Sequence, residues 1–172
     1  VIGYQHSTGI KRAVKLIKRN EVYRSDEDKL FMEASILREI DHPNVIKLFE
    51  VFENEEYYYS SQSNHLFCNV VLTISRYING GDLIGRLQCQ ANFSEETAAE
   101  YMRQVFSALV YLHEKKIMHR DIKPENLLFD SRKPGAMIKL IDFGAAMRFQ
   151  PGTKLSKRVG TVRTSLQSIN KL

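Results

Sequence analysis

His119-Arg120-Asp121-Ile122-Lys123-Pro124-Glu125-Asn126 is a dense polar run between apolar ones, and sixteen residues after Asn126 comes Asp142-Phe143-Gly144. Between them lie two apolar runs, residues 127–129 and 138–141, separated by Asp130-Ser131-Arg132-Lys133-Pro134-Gly135. Short apolar runs flanking a polar link with Pro and Gly predict a β-hairpin. A hairpin brings the residues just outside its two strands to one end. Asp121, Lys123, Asn126 and Asp142 would gather there: two carboxylates, an ammonium and an amide. Hard cations take oxygen ligands, and Mg²⁺ takes only one or two of them from protein. The set therefore suits Mg²⁺ and a triphosphate.

Upstream, residues 94–116 predict the most secure helix. Ser94 supplies the cap, Glu95 and Glu96 fill the first turn, and Ala98, Met102, Val105, Leu109 and Leu112 recur at helical spacing. Lys11–Lys18 (KRAVKLIK) reads as a strand with Ala13, Lys15 and Ile17 on one face. Lys15 thus stands between apolar neighbours, an unusual place for a lysine. Residues 26–40 read as an amphipathic helix with Leu30, Ala34 and Leu37 on one stripe and Glu33 on or beside it. A buried carboxylate needs a cation and a buried lysine an anion, so Lys15 and Glu33 are expected partners. His42-Pro43-Asn44 stops that helix. Residues 45–52 then predict a strand leading into a turn at 53–56.

Composition excludes more than it selects. The 172 residues are 43% hydrophobic and 26% charged, which gives enough apolar material for a core. No apolar run is long enough to span a membrane. The net charge is +5, but the basic residues are dispersed, with no basic stripe interleaved with stacking aromatics. No nucleic-acid partner is expected. Cys68 and Cys89 have neither metal nor disulfide spacing, as in a reduced, intracellular and cytoplasmic protein. There are no internal repeats.

HRDIKPEN followed by DFG resembles the catalytic loop and metal-binding motif of eukaryotic serine/threonine protein kinases. The triplet Ala13-Val14-Lys15 and Glu33 resemble that family's lysine–glutamate pair. The resemblance implies an α+β, bilobal fold using ATP and Mg²⁺ to phosphorylate protein Ser/Thr hydroxyls. It further implies a role for each matching residue. Asp121 would orient the substrate hydroxyl and take its proton late. Lys123 would neutralise the moving phosphoryl group. Asn126 and Asp142 would ligate Mg²⁺. Lys15 would hold the α/β-phosphates, positioned by Glu33, while Ala13 and Leu128 would sandwich adenine and Asp82 would contact ribose or substrate. Thr161 resembles the activation-segment threonine that helps set the serine/threonine preference. Leu37, Leu48, His119 and Phe143 would stack between the lobes, with His119 packing only. Arg120 would face a phosphate on the following loop, with Thr153 and Ser156 as acceptors.

His-Pro-Asn at 42–44, Gly80-Gly81-Asp82-Leu83 and the stretch 142–161 look most like the calcium-dependent protein kinases. No D-x-[DN]-x-[DN]-G loop occurs, so a calcium-regulated segment would lie outside these residues. The resemblance also divides the chain: a partial N-lobe and hinge at 1–79, a partial C-lobe at 80–161 and a divergent tail at 162–172. It implies departures too. The glycine-rich phosphate loop would precede Val1, and Gly3 and Gly9 do not replace it. About a dozen extra residues near 60–71 look like a loop insertion, or like a retained intron or gene-model error, since they would split one strand. Counting back from Gly80 puts Ser75 at the pocket and 76–78 at the hinge, with Arg76 where an acid is more usual. After Gly160-Thr161 the expected Ala-Pro-Glu segment and distal helices do not follow. The alternative reading is therefore a catalytically inactive kinase-like binding module or a non-functional partial product.

Overall fold

A computed structural model describes residues 2–18, 24–60, 63–89 and 94–152. Four strands form an antiparallel sheet: β1 (Ile2–Tyr4), β2 (Lys11–Lys18), β3 (Leu48–Ser60) and β4 (Ser63–Arg76), in the order β1-β2-β4-β3. Helix α1 (Arg24–Glu39) connects β2 to the β3–β4 hairpin. A short helix α2 (Leu83–Cys89) and the long α3 (Glu95–Glu114) follow. Two small antiparallel pairs complete the described chain: β5 (Ile117–Met118) with β8 (Met147–Arg148), and β6 (Leu127–Phe129) with β7 (Ile138–Leu140). The family-level expectation of mixed helix and antiparallel sheet is met.

Local chemistry explains the elements. Ser94 Oγ accepts the Thr97 N–H at 3.2 Å and caps α3. Gln104, Val105, Ala108 and Leu112 form the buried face of α3, at helical spacing. The β6–β7 link turns through Gly135 at φ 74°, and Asp130 Oδ1 accepts the Met137 N–H at 3.1 Å to close it. The turn expected at residues 53–56 is absent. That stretch stays in β3, with Glu53 paired to Val71 and Asn54 to Val70. Four polar residues without Gly or Pro make no breaker when a β-branched neighbour strand offers pairing. Likewise β4 runs unbroken over residues 63–76, paired with β3.

The core is continuous from α1 to the β6–β7 hairpin. Ile36, Leu37, Ile40, Val45 and Leu48 pack in one cluster with Leu112, Ile117, Phe129, Ile138, Leu140 and Phe143. Burying a side chain of this size stabilises by roughly 1.5–3 kcal/mol before entropy is counted. Residues 44–46 join the layers: Leu140 N–H donates to Asn44 O at 2.8 Å, and Ile46 N–H to Leu140 O at 3.0 Å. The outcome is a sheet with α1 on one side, fastened to a helical base on which the polar hairpin end sits.

Candidate active site

The hairpin does what its sequence implies. β6 and β7 pair from Leu127↔Leu140 to Phe129↔Ile138, and Ile141 N–H donates to Asn126 O at 3.0 Å just outside them. Asn126 and Asp142 are thereby neighbours at one end. Residues Pro124–Asn126 form a single 3₁₀ turn, and Asn126 is buried. Its Nδ2 donates to Asp121 O at 2.8 Å and to Asp121 Oδ2 at 3.1 Å. Lys123 Nζ lies 2.8 Å from Asp121 Oδ2. That bond holds the ammonium pKa above its ordinary value. One carboxylate thus takes a bond from an amide and another from a cation, and its position is fixed from both sides.

Asp142 is exposed, with φ 61° in the left-handed region. A non-glycine residue held there signals a conformation imposed by its surroundings. Gly144 N–H donates to Asp142 Oδ1 at 3.3 Å, and the next side chain, Phe143, is fully buried. Phe143 meets the His119 ring at 4.7 Å, edge on. His119 Nδ1 accepts the Asp121 N–H at 3.3 Å, so Nε2 carries the proton and donates to Ile141 O at 3.0 Å. Burial pushes the His119 pKa below its usual value, which keeps it neutral. Leu37, Leu48, His119 and Phe143 are all buried, consistent with packing as their part. Arg120, also left-handed at φ 68°, donates from Nε to Ala145 O at 2.6 Å.

Across the cleft, Lys15 Nζ lies 3.2 Å from Glu33 Oε2 and 3.4 Å from Oε1. The pairing matches expectation; the burial of the lysine does not. Its side chain is 55% exposed, against 15% for Glu33. The three-residue β1 pairs only with residues 11–13 and ends short of Lys15. A side-chain carbon added to Gly144 would lie 3.9 Å from Glu33 Oε2, so the helix acid stands close to the Asp142 turn. Of the adenine-site and ribose-site candidates, Ala13 pairs with Ser75 in the sheet, and Asp82 bridges Leu128. Asp82 Oδ1 accepts the Gly85 N–H at 2.6 Å at the start of α2. Thr161, Thr153, Ser156 and the tail at 162–172 lie outside the described residues.

Three features escaped the sequence reading. Gly80 lies where any side chain would collide with the carbonyl oxygens of Phe129 and Ser131, and its N–H donates to Phe129 O at 3.0 Å. Lys139, only 4% exposed on β7, donates to Pro43 O. Burial, reinforced by the Arg76 charge, lowers its pKa. Asn44 and Gln104 form a buried amide pair described below. None of the three carries a local pattern; each depends on what the fold brings alongside. In the turn at residues 5–9 the Gly9 N–H donates to Gln5 O at 2.8 Å.

The sequence matches the protein kinase domain family over residues 1–163. The chain belongs to this family. It is 33% identical over 163 residues to calcium-dependent protein kinase 4 of Plasmodium berghei (strain Anka), covering 94% of this chain and 28% of that protein. It is 38% identical over 154 residues to calcium-dependent protein kinase 5 of Plasmodium falciparum (isolate 3D7), covering 90% and 24%. The chain spans about a quarter of the length of these relatives. Kinase domains use ATP, generally with Mg²⁺. Among the described residues no helix is long and apolar enough to cross a membrane.

Proposed function

We propose that the chain carries the phosphoryl-transfer centre of a serine/threonine protein kinase that passes the γ-phosphoryl group of ATP to protein hydroxyls. The observation that supports it most is the joint hold of Lys123 and Asn126 on Asp121, beside Asp142. Asp121 accepts a hydrogen bond from the incoming hydroxyl and orients its oxygen toward the γ-phosphorus. As the new P–O bond forms and the bond to ADP breaks, the hydroxyl proton passes to Asp121. Lys123 neutralises charge on the group in flight, and Lys15 holds the α/β-phosphates where Glu33 points it. Positioning and charge neutralisation of this kind carry most of the catalysis in phosphoryl transfer.

The donor set fits Mg²⁺. With Nδ2 of Asn126 committed to Asp121, its carbonyl oxygen is left as the ligand, and the exposed Asp142 carboxylate is the second. Mg²⁺ takes most of its oxygens from phosphate and water, so two protein ligands suffice. When bound, the ion neutralises the β/γ-phosphates. Thr161 is assigned to the activation segment, and protein Ser/Thr side chains to the substrate. Calcium control, exerted through segments beyond these residues, is inferred from the names of the relatives. An intracellular, cytoplasmic setting accords with the free, exposed thiol of Cys89.

Transfer of radiolabelled γ-phosphate to a generic Ser/Thr peptide tests the reading. Asp142→Asn is expected to abolish transfer, and full activity in that variant would overturn the metal assignment. Nucleotide binding without any transfer would instead favour a kinase-like binding module.

A further inference from the structure

β3 and β4 outrun the sheet that holds them. Pairing of β4 with β2 ends at Lys18↔Val70, whereas β3 and β4 stay paired through Glu55↔Asn69 and Tyr58↔Leu66 to Ser60↔Ser63. A two-stranded ribbon therefore projects beyond the third strand. Such ribbons are marginal in water without a further strand or a packed face. β3 is also last in the strand order, so among the described residues no strand covers its outer edge along 13 residues. An edge of this length presents a row of unpaired N–H and C=O groups, a template for another strand.

The sequence of the edge selects its partner. β3 contains Glu50, Glu53, Glu55 and Glu56 and neither Lys nor Arg, and residues 63–69 contain neither as well. The register sets Tyr57 opposite Phe67 and Tyr58 opposite Leu66. A second copy is a poor occupant. Antiparallel self-pairing of β3 about Asn54 would set Glu53 opposite Glu55 twice, and like charges directly opposite are destabilising.

We propose that the outer edge of β3 docks an extended basic segment of another protein. The segment adds as a further strand, with Lys or Arg set against the glutamates and apolar residues between. Main-chain hydrogen bonds supply affinity, and alternate side chains supply selectivity. Edge glutamates that merely prevent aggregation would predict the opposite behaviour toward such a strand.

Anisotropy titrations of the 172-residue chain at 0.15 M salt separate the two. The probes are an eight-residue Lys-Val alternating peptide, its Glu-Val counterpart, and a Lys-Val peptide N-methylated at its two central residues to block either edge. Saturable binding of the Lys-Val peptide is expected, with the N-methylated form about tenfold weaker or worse. Combined replacement of Glu53, Glu55 and Glu56 by Gln should weaken it similarly. Equal binding of the N-methylated peptide reduces the effect to bulk charge and overturns the proposal. No binding of Lys-Val, or equal binding of Glu-Val, also overturns it; both N-methyl and peptide-charge arms use the unaltered chain.

Discussion

Asn126 donates both of its amide hydrogens to Asp121, one to the backbone carbonyl at 2.8 Å and one to the carboxylate at 3.1 Å. The side chain that pins the proposed base thus keeps its own carbonyl oxygen for the proposed metal. On the proposed assignment, one residue would couple the base to the ion site.

Replacing Asn126 by Asp removes both donations and sets a second carboxylate beside Asp121. Like charges at that distance raise one of the two pKa values. Transfer to peptide should fall by about two orders of magnitude or more, the scale seen when one preorganised charge-stabilising group is lost. The Mg²⁺ dependence of the residual rate should change as well. Steady-state kinetics at varied Mg²⁺ measures both, and an unchanged Mg²⁺ dependence would dissociate Asn126 from the metal.

The Lys15–Glu33 pair leads to a split outcome. With the lysine more than half exposed, the pair contributes at most about 1 kcal/mol to stability. Lys15→Met should leave the melting temperature within a few degrees of the parent. Its catalytic efficiency for ATP should nevertheless fall by about a hundredfold if, as proposed, the ammonium acts on phosphate and not on the fold. Glu33→Gln should fall less, since the amide still occupies the site beside Lys15. Comparing thermal melts with kcat/KM for ATP checks the split. A collapse of Lys15→Met on melting would show that the pair is structural.

How much of this was legible depended on whether the signal was local. The hairpin at 127–140 has its turn residues between apolar runs, and the α3 cap and stripe lie within one helix, so both could be read from the chain. So could the Lys15–Glu33 pairing, because a lysine and a carboxylate near apolar stripes need each other. The exposure of Lys15 could not be read, since it depends on what the fold brings alongside the strand. The 53–56 stretch misled because its strand character is supplied by Val70 and Val71 on β4. Gly80 is dictated by the carbonyls of Phe129 and Ser131, about fifty residues distant, and nothing beside it in sequence announces that.

The amide pair at the back of the hairpin should govern stability. Gln104 Oε1 accepts from Asn44 Nδ2 at 3.1 Å and from Ile138 N–H at 2.8 Å, while its Nε2 donates to Glu100 Oε1 at 2.9 Å. Asn44 Nδ2 also donates to Ile138 O at 3.0 Å. Gln104→Leu keeps the volume but strands a buried backbone N–H and an amide. Each such group costs about 1–3 kcal/mol. The variant should melt several degrees lower, and Gln104→Glu, which keeps the acceptor but sets a carboxylate against Glu100, should not recover the loss at neutral pH. Chemical denaturation measures it. A neutral Gln104→Leu would mean that water replaces the lost acceptor.

Acid should unfold the protein from an unusual starting point. Burial lowers the pKa of His119, and burial followed by the Lys139 charge lowers that of His42. The folded state therefore resists protons that the unfolded imidazoles accept near their ordinary value of about 6.5. Between the folded pKa and that value the unfolded chain binds more protons, so stability is full above about pH 6.5 and declines as pH falls below it. Two carboxylates add the same sign lower down. The Arg103 bond lowers Glu100 to about 2, and the Arg148 bond lowers Glu39. Both are exposed, so their share is small. Thermal melts across pH 8 to 5 should show a plateau followed by a fall that begins near pH 6.5, ahead of any carboxylate titration. His119→Gln should start lower on the plateau, because the ring packing against Phe143 is lost, yet lose less on acidification. An acid loss that begins only below about pH 4.5 would show that neither imidazole is held neutral by the fold.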